Sequence, residues 1–504
     1  MNIKRAFLFL QILLSYHCWA QQNLEAIHGT IFNDKNKNGV QDRNEKGISG
    51  IDVSNGEAIV VTDRDGEFVL DMLPGWSVFP ILPSNYAFSK GMIENSAFYY
   101  WGPSHSLAKT VKFGIHKVEV DNHFIVNAIG DVQVGNWEEL NYASCSLFSE
   151  LLAGSSMPTN LFLGDLVNNN LTLFSPLKQM ISQLPMKSWT IIGNHDRDAD
   201  TVRMNQEVTY NNFWGASYYA FNRGNVHFIV LNNVYGTGMR SYEGRIPERQ
   251  LNFLKNDLER VSLSKQLVIC MHIPLFLTKN KDDLLSLLAG RGNVLVLSGH
   301  LHQVQRSITE GNGVTIHELV AGASCGFWWV GEKDEEGIPS ALMQCGTPRN
   351  YFVFDFTKDS YTFHYKGIGQ DGSKNMNIWV AGADSLSNSI RFLTPKKAGD
   401  VLITVYGGSL YTNVRCKVDG KEWVQCKHVE EMDPNVARTM TWNHLKVYPT
   451  KFSRLNPYRN RPSQQVWSIQ LPIECKQGVH SLEVEAEDKW GFTAKASRTF
   501  CLKF

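Results

Sequence analysis

What this 504-residue chain lacks narrows its chemistry before any motif does. It has no net charge, with 49 Lys and Arg against 49 Asp and Glu, so no overall field draws it to nucleic acid or to an anionic membrane. Any anionic ligand has to be held locally. There is no basic stripe with interleaved aromatics, which argues against a specific nucleic-acid partner. No CxxC occurs, so neither a zinc knuckle nor a thioredoxin-type motif is indicated. Repeats and low-complexity linkers are missing too, which leaves the domain boundaries soft. Finally, no apolar run reaches the roughly 20 residues that a membrane span needs. The run from Ala6 to Leu14 is interrupted by Gln11 and follows Lys4 and Arg5, with Cys18-Trp19-Ala20 at positions a signal peptidase reads. Residues 1–20 are therefore predicted to be a cleaved signal peptide, giving an exported, periplasmic or extracellular product with no transmembrane segment afterwards.

What is present is ample apolar material, 43% of the chain, enough for roughly two to four domains with their own cores. Residues 21–115 read as short strands and turns, among them Gly29-Thr30-Ile31-Phe32, Ile59-Val60-Val61 and Phe68-Val69-Leu70, and predict a β-sandwich. Residues 116–370 alternate apolar strands with helical patterns, the mark of a layered α/β core. Its expected strands include Phe124–Val126, Leu161–Leu163, Thr190–Ile192, His227–Leu231, Leu267–Ile269 and Val294–Leu297, with a helix from Pro247 to Val261. Residues 371–504 return to short strands, such as Val401–Val405 and His480–Val484, and predict a second β-sandwich.

Nearly every central strand runs into a polar residue that can hold a metal: Gly130-Asp131-Val132-Gln133, Gly164-Asp165, Gly193-Asn194-His195-Asp196, Met271-His272 and Gly299-His300-Leu301-His302. In open α/β sheets ligands bind beyond the carboxyl ends of the strands, so five such ends can meet in one crevice. A bridging carboxylate with a mixed shell of oxygen and imidazole suits two divalent ions. One motif alone would be a turn or a structural histidine; five in order are not coincidence.

The series GD, GD, GNHD, MH, GHLH resembles the metallophosphoesterase superfamily, which includes calcineurin-type and purple acid phosphatases. The resemblance implies an α/β/β/α sandwich core, here flanked by the two β-sandwiches, and hydrolysis of a phosphomonoester or phosphodiester by in-line attack of a metal-bound hydroxide. It implies one ion on Asp131, Gln133, Asp165 and His302 and another on Asp165, Asn194, His272 and His300. Asp165 would bridge them, with His195 beside the metals as general acid or phosphate donor. The ions would be manganese, iron, zinc or magnesium. Two positions depart from the family pattern: Gln133 stands where a histidine is usual, favouring the harder metals over zinc, and Asn168 stands where an Asp would orient His195.

The segment from Cys325 to Tyr351 is expected to form a rim over the metals, with Trp328, Trp329 and Tyr351 stacking on substrate and Arg349 clamping its phosphate or carboxylate. Gly322-Ala323-Ser324-Cys325-Gly326 satisfies G-x-S-x-G but lacks the helix a nucleophile elbow needs. Nearer the start, Asp34, Asn36, Asn38, Val40, Asp42 and Glu45 fall at calcium-loop positions around Gly39, and the stretch to Gly50 resembles extracellular bacterial B-type repeat domains. The arrangement as a whole resembles secreted calcineurin-like phosphoesterases of Bacteroidetes. An alternative reading is an extracytoplasmic protein that grips an envelope glycan or cell-wall component and keeps a vestigial metal core. Nine cysteines less Cys18 leave eight, with Cys325–Cys345 and Cys416–Cys426 as disulfide candidates and free thiols as the other option.

Overall fold

A computed structural model describes residues 24–89, 97–154, 158–185, 188–358, 360–384, 390, 392–394, 396–446, 457–472, 475 and 477–502, with only the backbone of Asn293. The expected signal peptide lies outside the described residues. Among them, no helix is long and apolar enough to cross a membrane.

The α/β core consists of two sheets. The first has five strands in the order Ser188–Thr190, Thr159–Phe162, Phe124–Ile129, Asn350–Phe356, Tyr361–Gly367, the first three parallel and the last two antiparallel. The second has six, in the order Tyr219–Arg223, Val226–Val230, Gln266–Cys270, Gly292–Ser298, Val314–Ala321, Val304–Gly311, with the middle four parallel and both edges antiparallel. Strands buried on both faces need continuous apolar sequence, and Thr159–Phe162 and Val226–Val230 are buried throughout. Phe228 of one sheet meets Phe356 of the other edge to face at 6.0 Å.

The crossover helices follow their sequence signals closely. Pro247 sits at the N-cap of helix Glu248–Leu258, which buries Phe253, Leu254 and Leu258. It stops short of the expected Val261, and the Arg291 guanidinium donates to the carbonyls of Leu258 and Val261. The strand expected at Thr190–Ile192 is Ser188–Thr190.

Before the core, two four-stranded sheets combine strands Glu25–Asn33, Glu67–Met72, Thr110–Lys117 and Tyr86–Phe88 with Asp52–Ser54, Ile59–Val61, Ser77–Ile81 and Tyr99–Tyr100. Two further four-stranded sheets and the helix Pro434–His444 follow the core. The region after the core is fastened to it by a buried ion pair. Arg306, on an edge strand of the second sheet, meets Asp488 at 2.7 Å, their side chains 1% and 0% exposed.

Of the two options left open for the cysteines, the structure has the thiols. All eight cysteines are thiols; the Cys416 and Cys426 side chains are hydrogen-bonded to each other, while Cys325 packs against Gln133 and His302. In the expected calcium loop, backbone amides already engage the carboxylates. Asp34 accepts from Asn38 and Gly39, and Glu45 from Lys35 and Asp42. Asn36 donates to Asp42, and Asn38 accepts from the Val40 amide.

Candidate metal centre

The site lies where the two sheets meet. Asp131, Asp165 and Asn194 follow three parallel strands of the first sheet, and His272, His300 and His302 follow two of the second. Asn194 opens the short 3-10 helix Asn194–Asp196, the others lie in the loops after their strands, and five motif residues carry positive φ: Asp131 (33°), Gln133 (42°), Asp165 (48°), His300 (74°) and His302 (48°). A non-glycine residue in that region costs on the order of 1–3 kcal/mol, and such strain persists where the surroundings over-determine it, as at ligand clamps. The motif glycines serve close approach. A Cβ on Gly193 would lie 2.1 Å from an Asp165 carboxylate oxygen, and one on Gly164 would lie 2.4 Å from His272 Nδ1.

Donor atoms of Asp165, His272 and His300 lie within 4.8 Å of one another. His272 Nε2 stands 3.3 Å from Asp165 Oδ2 and 3.1 Å from Asn194 Oδ1, and His302 Nε2 is 3.6 Å from Asp131 Oδ1. The other ring nitrogens are anchored outwards, His272 Nδ1 at 2.8 Å from the Leu163 carbonyl and His302 Nδ1 at 2.7 Å from that of Gly326. A ring that donates one N–H to a carbonyl presents the lone pair of its other nitrogen to the site, which is how metal-ligating histidines are held. Backbone amides grip the carboxylates, His195 N to Asp165 Oδ1 at 2.8 Å and His300 N to Asp131. Gln133 Nε2 lies 3.3 Å from Asp165 Oδ2.

The electrostatics of the group suit cations. Burial pushes the Asp131 carboxyl well above the usual range. Burial would raise Asp165 too, but His272 and His195 hold it well below that range. Burial opposes protonation of His272, and the Asp165 carboxylate overcomes it, lifting its pKa to about 9. His300 and His302 are pushed down by burial to about 3 and about 4, so both stay neutral with a free lone pair. The proton on His272 offsets the Asp165 charge, and a divalent ion in its place would meet buried oxygen and imidazole donors together, the mixture such ions take.

His195 is half-buried beside Asp165, and its Nδ1 has no hydrogen-bond partner among the described residues. Asn168, expected to orient the ring, bonds to Asn169 instead, and it is the Asn169 amide that meets the His195 carbonyl.

Of the four side chains expected at the rim, three are buried. Arg349 is buried, donates to Ser146 Oγ and covers the Trp329 ring. Trp329 is buried and donates its indole N–H to the Val132 carbonyl, and Tyr351 donates to Glu150. These three therefore brace the Asp131 turn and its surroundings, in place of the substrate contact expected of them. Trp328 alone is exposed, at 43%, with its ring stacked on His302 at 4.7 Å. Ser324 is buried and bonded to the Asp131 carbonyl, so the G-x-S-x-G serine is no nucleophile.

The residues that sequence reasoning missed are Arg240 and Tyr242. Together with Asn169, Asn194 and His195 they line an open hollow of about 440 Å³. Tyr242 stands edge-on to His300 at 6.0 Å, and exposed Arg240 donates to Asn169 Oδ1 at 2.7 Å. Both come from a hairpin segment with no motif, so only the fold reveals them.

Two family models match the chain: that of calcineurin-like phosphoesterase over residues 104–304, and that of the C terminal of calcineurin-like phosphoesterase over residues 318–493. The chain belongs to the calcineurin-like phosphoesterases. It is accordingly a metal-dependent phosphoester hydrolase, and the family implies divalent ions at the centre described above. No curated protein matches it. Among solved structures it is similar to a purple acid phosphatase from yellow lupin (Lupinus luteus) seeds, with 13% identity, 64% of this chain and 69% of that one covered, and a TM-score of 0.34. It is also similar to the T. thermophilus sulfate thiohydrolase SoxB, with 11% identity, 49% and 57% covered, and a TM-score of 0.27.

Proposed function

We propose that this calcineurin-like phosphoesterase is an exported hydrolase of a phosphomonoester or phosphodiester whose centre takes two divalent ions. The observation that carries the reading is the convergence of the Asp165, His272 and His300 donors, with the His272 and His302 rings tethered by their far nitrogens. Asp131, Gln133, Asp165 and His302 would hold one ion and Asp165, Asn194, His272 and His300 the other, with Asp165 shared. Such ions supply charge neutralisation of the phosphoryl oxygens and activation of water. The chain's own residues do the rest. His195, with its open Nδ1 and its pKa lowered by burial, is placed to orient the ester or hand a proton to the departing oxygen. Arg240 and Tyr242 line the hollow beside Asn194 and His195, and Trp328 stacks on His302. The strand pairs before and after the core are read as flanking β-sandwich domains at 21–115 and 371–504. Export rests on the apolar N-terminal pattern of residues 1–20.

Arg240→Ala is expected to raise KM for a phosphate ester about tenfold with kcat nearly unchanged, since an exposed guanidinium contributes binding common to ground and transition states. Steady-state kinetics with p-nitrophenyl phosphate and its bis ester would check this, and an unchanged KM for both would remove Arg240 from the site.

Gln133→His tests the departure from the family shell. An imidazole in place of an amide should raise zinc retention at that ion relative to manganese. Elemental analysis after competitive loading reads the ratio, and an unchanged ratio would take Gln133 out of the ligand set.

A further inference from the structure

A second group of metal-binding side chains lies far along the chain from the catalytic motifs, in the region after the core. Asp419, Cys475 and His480 present a carboxylate oxygen, a thiol and a ring nitrogen that all lie within 4.8 Å of one another. Asp419 occupies the turn after strand Asn413–Val418, with φ of 49°, and its amide donates to the Ser481 carbonyl. His480 lies on the neighbouring strand Gly478–Glu487, and Cys475 just precedes that strand. Strand pairing therefore fixes two of the three donors, and positive φ at a non-glycine residue marks a turn held against its preference.

The carboxylate is arranged for two tasks. Asp419 Oδ1 accepts from the Ser481 amide at 2.8 Å, while Oδ2 faces His480 Nδ1 at 2.8 Å. The thiol is buried and the carboxylate exposed, so the group is closed on the protein side and open to solvent on the other. We infer that Asp419, Cys475 and His480 form a third metal site, separate from the catalytic pair, which takes zinc(II) or a similarly borderline-soft divalent ion with water as fourth ligand. A thiolate with an imidazole selects such an ion over magnesium, calcium or manganese. Two ligands of one tetrahedral ion at 2.0–2.1 Å stand about 3.3 Å apart. The Asp419–His480 contact reaches that spacing by opening about half an ångström, which the exposed turn permits. Cys475 binds as thiolate, its proton released to solvent.

A plain Asp–His ion pair with a thiol nearby would explain the first contact without a metal, and the test separates the two. Full-length protein loaded with zinc and freed of excess should carry one ion fewer in Cys475→Ser than in wild type, while the phosphoesterase rate stays unchanged. Cobalt(II) in place of zinc should give the near-ultraviolet absorption of a thiolate ligand, lost in Cys475→Ser and kept in Cys325→Ser, the thiol beside the catalytic centre. Should Cys475→Ser fail to fold, Asp419→Asn changes only an exposed side chain and should retain zinc at least tenfold less tightly against a chelator. Equal zinc retention by Asp419→Asn and wild type, or a cobalt spectrum indifferent to position 475, overturns the site. Because neither readout depends on catalysis, the third site can fail while the phosphoesterase reading stands, or the reverse.

Discussion

Asp165→Asn is expected to lower metal-dependent phosphoester hydrolysis by at least about 100-fold, the upper end of what losing a mere outer partner of a metal ligand costs. The side chain is buried, one of its oxygens meets His272 and the other the His195 amide. An amide there keeps the shape and one acceptor but loses the charge that would hold two cations side by side. A second readout distinguishes loss of metal from loss of fold. An ion that binds only the folded protein stabilises it by mass action, so wild type should melt higher in manganese than in chelator. That difference should shrink in Asp165→Asn, and because the variant also loses the buried Asp165–His272 pair and melts lower in chelator, the manganese-induced shift, not the absolute melting temperature, reports the loss of metal. Full activity with both ions retained would undo the assignment of Asp165 as the shared ligand.

The candidate ligands stood out in the sequence because strand ends have a pattern. An apolar run, a glycine and then a donor mark Asp131, Asp165, Asn194 and His300, and an apolar run alone marks His272; in the structure Asp165, His272 and His300 lie within 4.8 Å of one another, Asn194 meets His272 and Asp131 meets His302. What the pattern could not show is that three come from one sheet and the histidine strands from another, because sheet membership is decided by pairing between distant segments. The rim failed for a different reason. Trp328, Trp329, Arg349 and Tyr351 look alike as a list of large side chains, but positive φ at both tryptophans turns one outward over His302 and the other inward to Val132. Composition does not carry that choice. Arg240 went unseen because an exposed arginine on a hairpin has no neighbours in sequence that mark it. Asn169, its partner, lies 71 positions away.

Asp488→Asn is expected to cost about 3–5 kcal/mol, the penalty for leaving a buried charge unpaired. Arg306 is fully enclosed between the rings of Phe363 and Phe492, and Asp488 receives its guanidinium through both oxygens, with Thr412 and the Trp490 amide completing the shell. Because the pair joins an edge strand of the core to the turn between strands Gly478–Glu487 and Thr493–Leu502, the loss should appear as earlier unfolding of the region after the core. Urea unfolding followed by tryptophan fluorescence would show it, with hydrolysis preserved at low denaturant. Replacing both members by apolar residues, Arg306→Met with Asp488→Leu, should recover most of the stability, since the cost lies in the unpaired charge. The same network sets a pH dependence. His317 accepts from Arg306 Nε and donates to Tyr361, and burial holds its pKa well below 6.5 with Arg306 adding to the effect. A histidine depressed in the folded state stabilises above its unfolded pKa of about 6.5 and loses that stability as pH falls, because only the unfolded chain takes up the proton. Wild type should therefore weaken progressively below about pH 6.5, and His317→Gln, which can still accept from Arg306 and donate to Tyr361, should flatten that fall. A Gln variant with the same acid slope as wild type would assign the slope to other groups, and an Asp488→Asn midpoint unchanged in urea would mean that the pair is not what holds the two regions together.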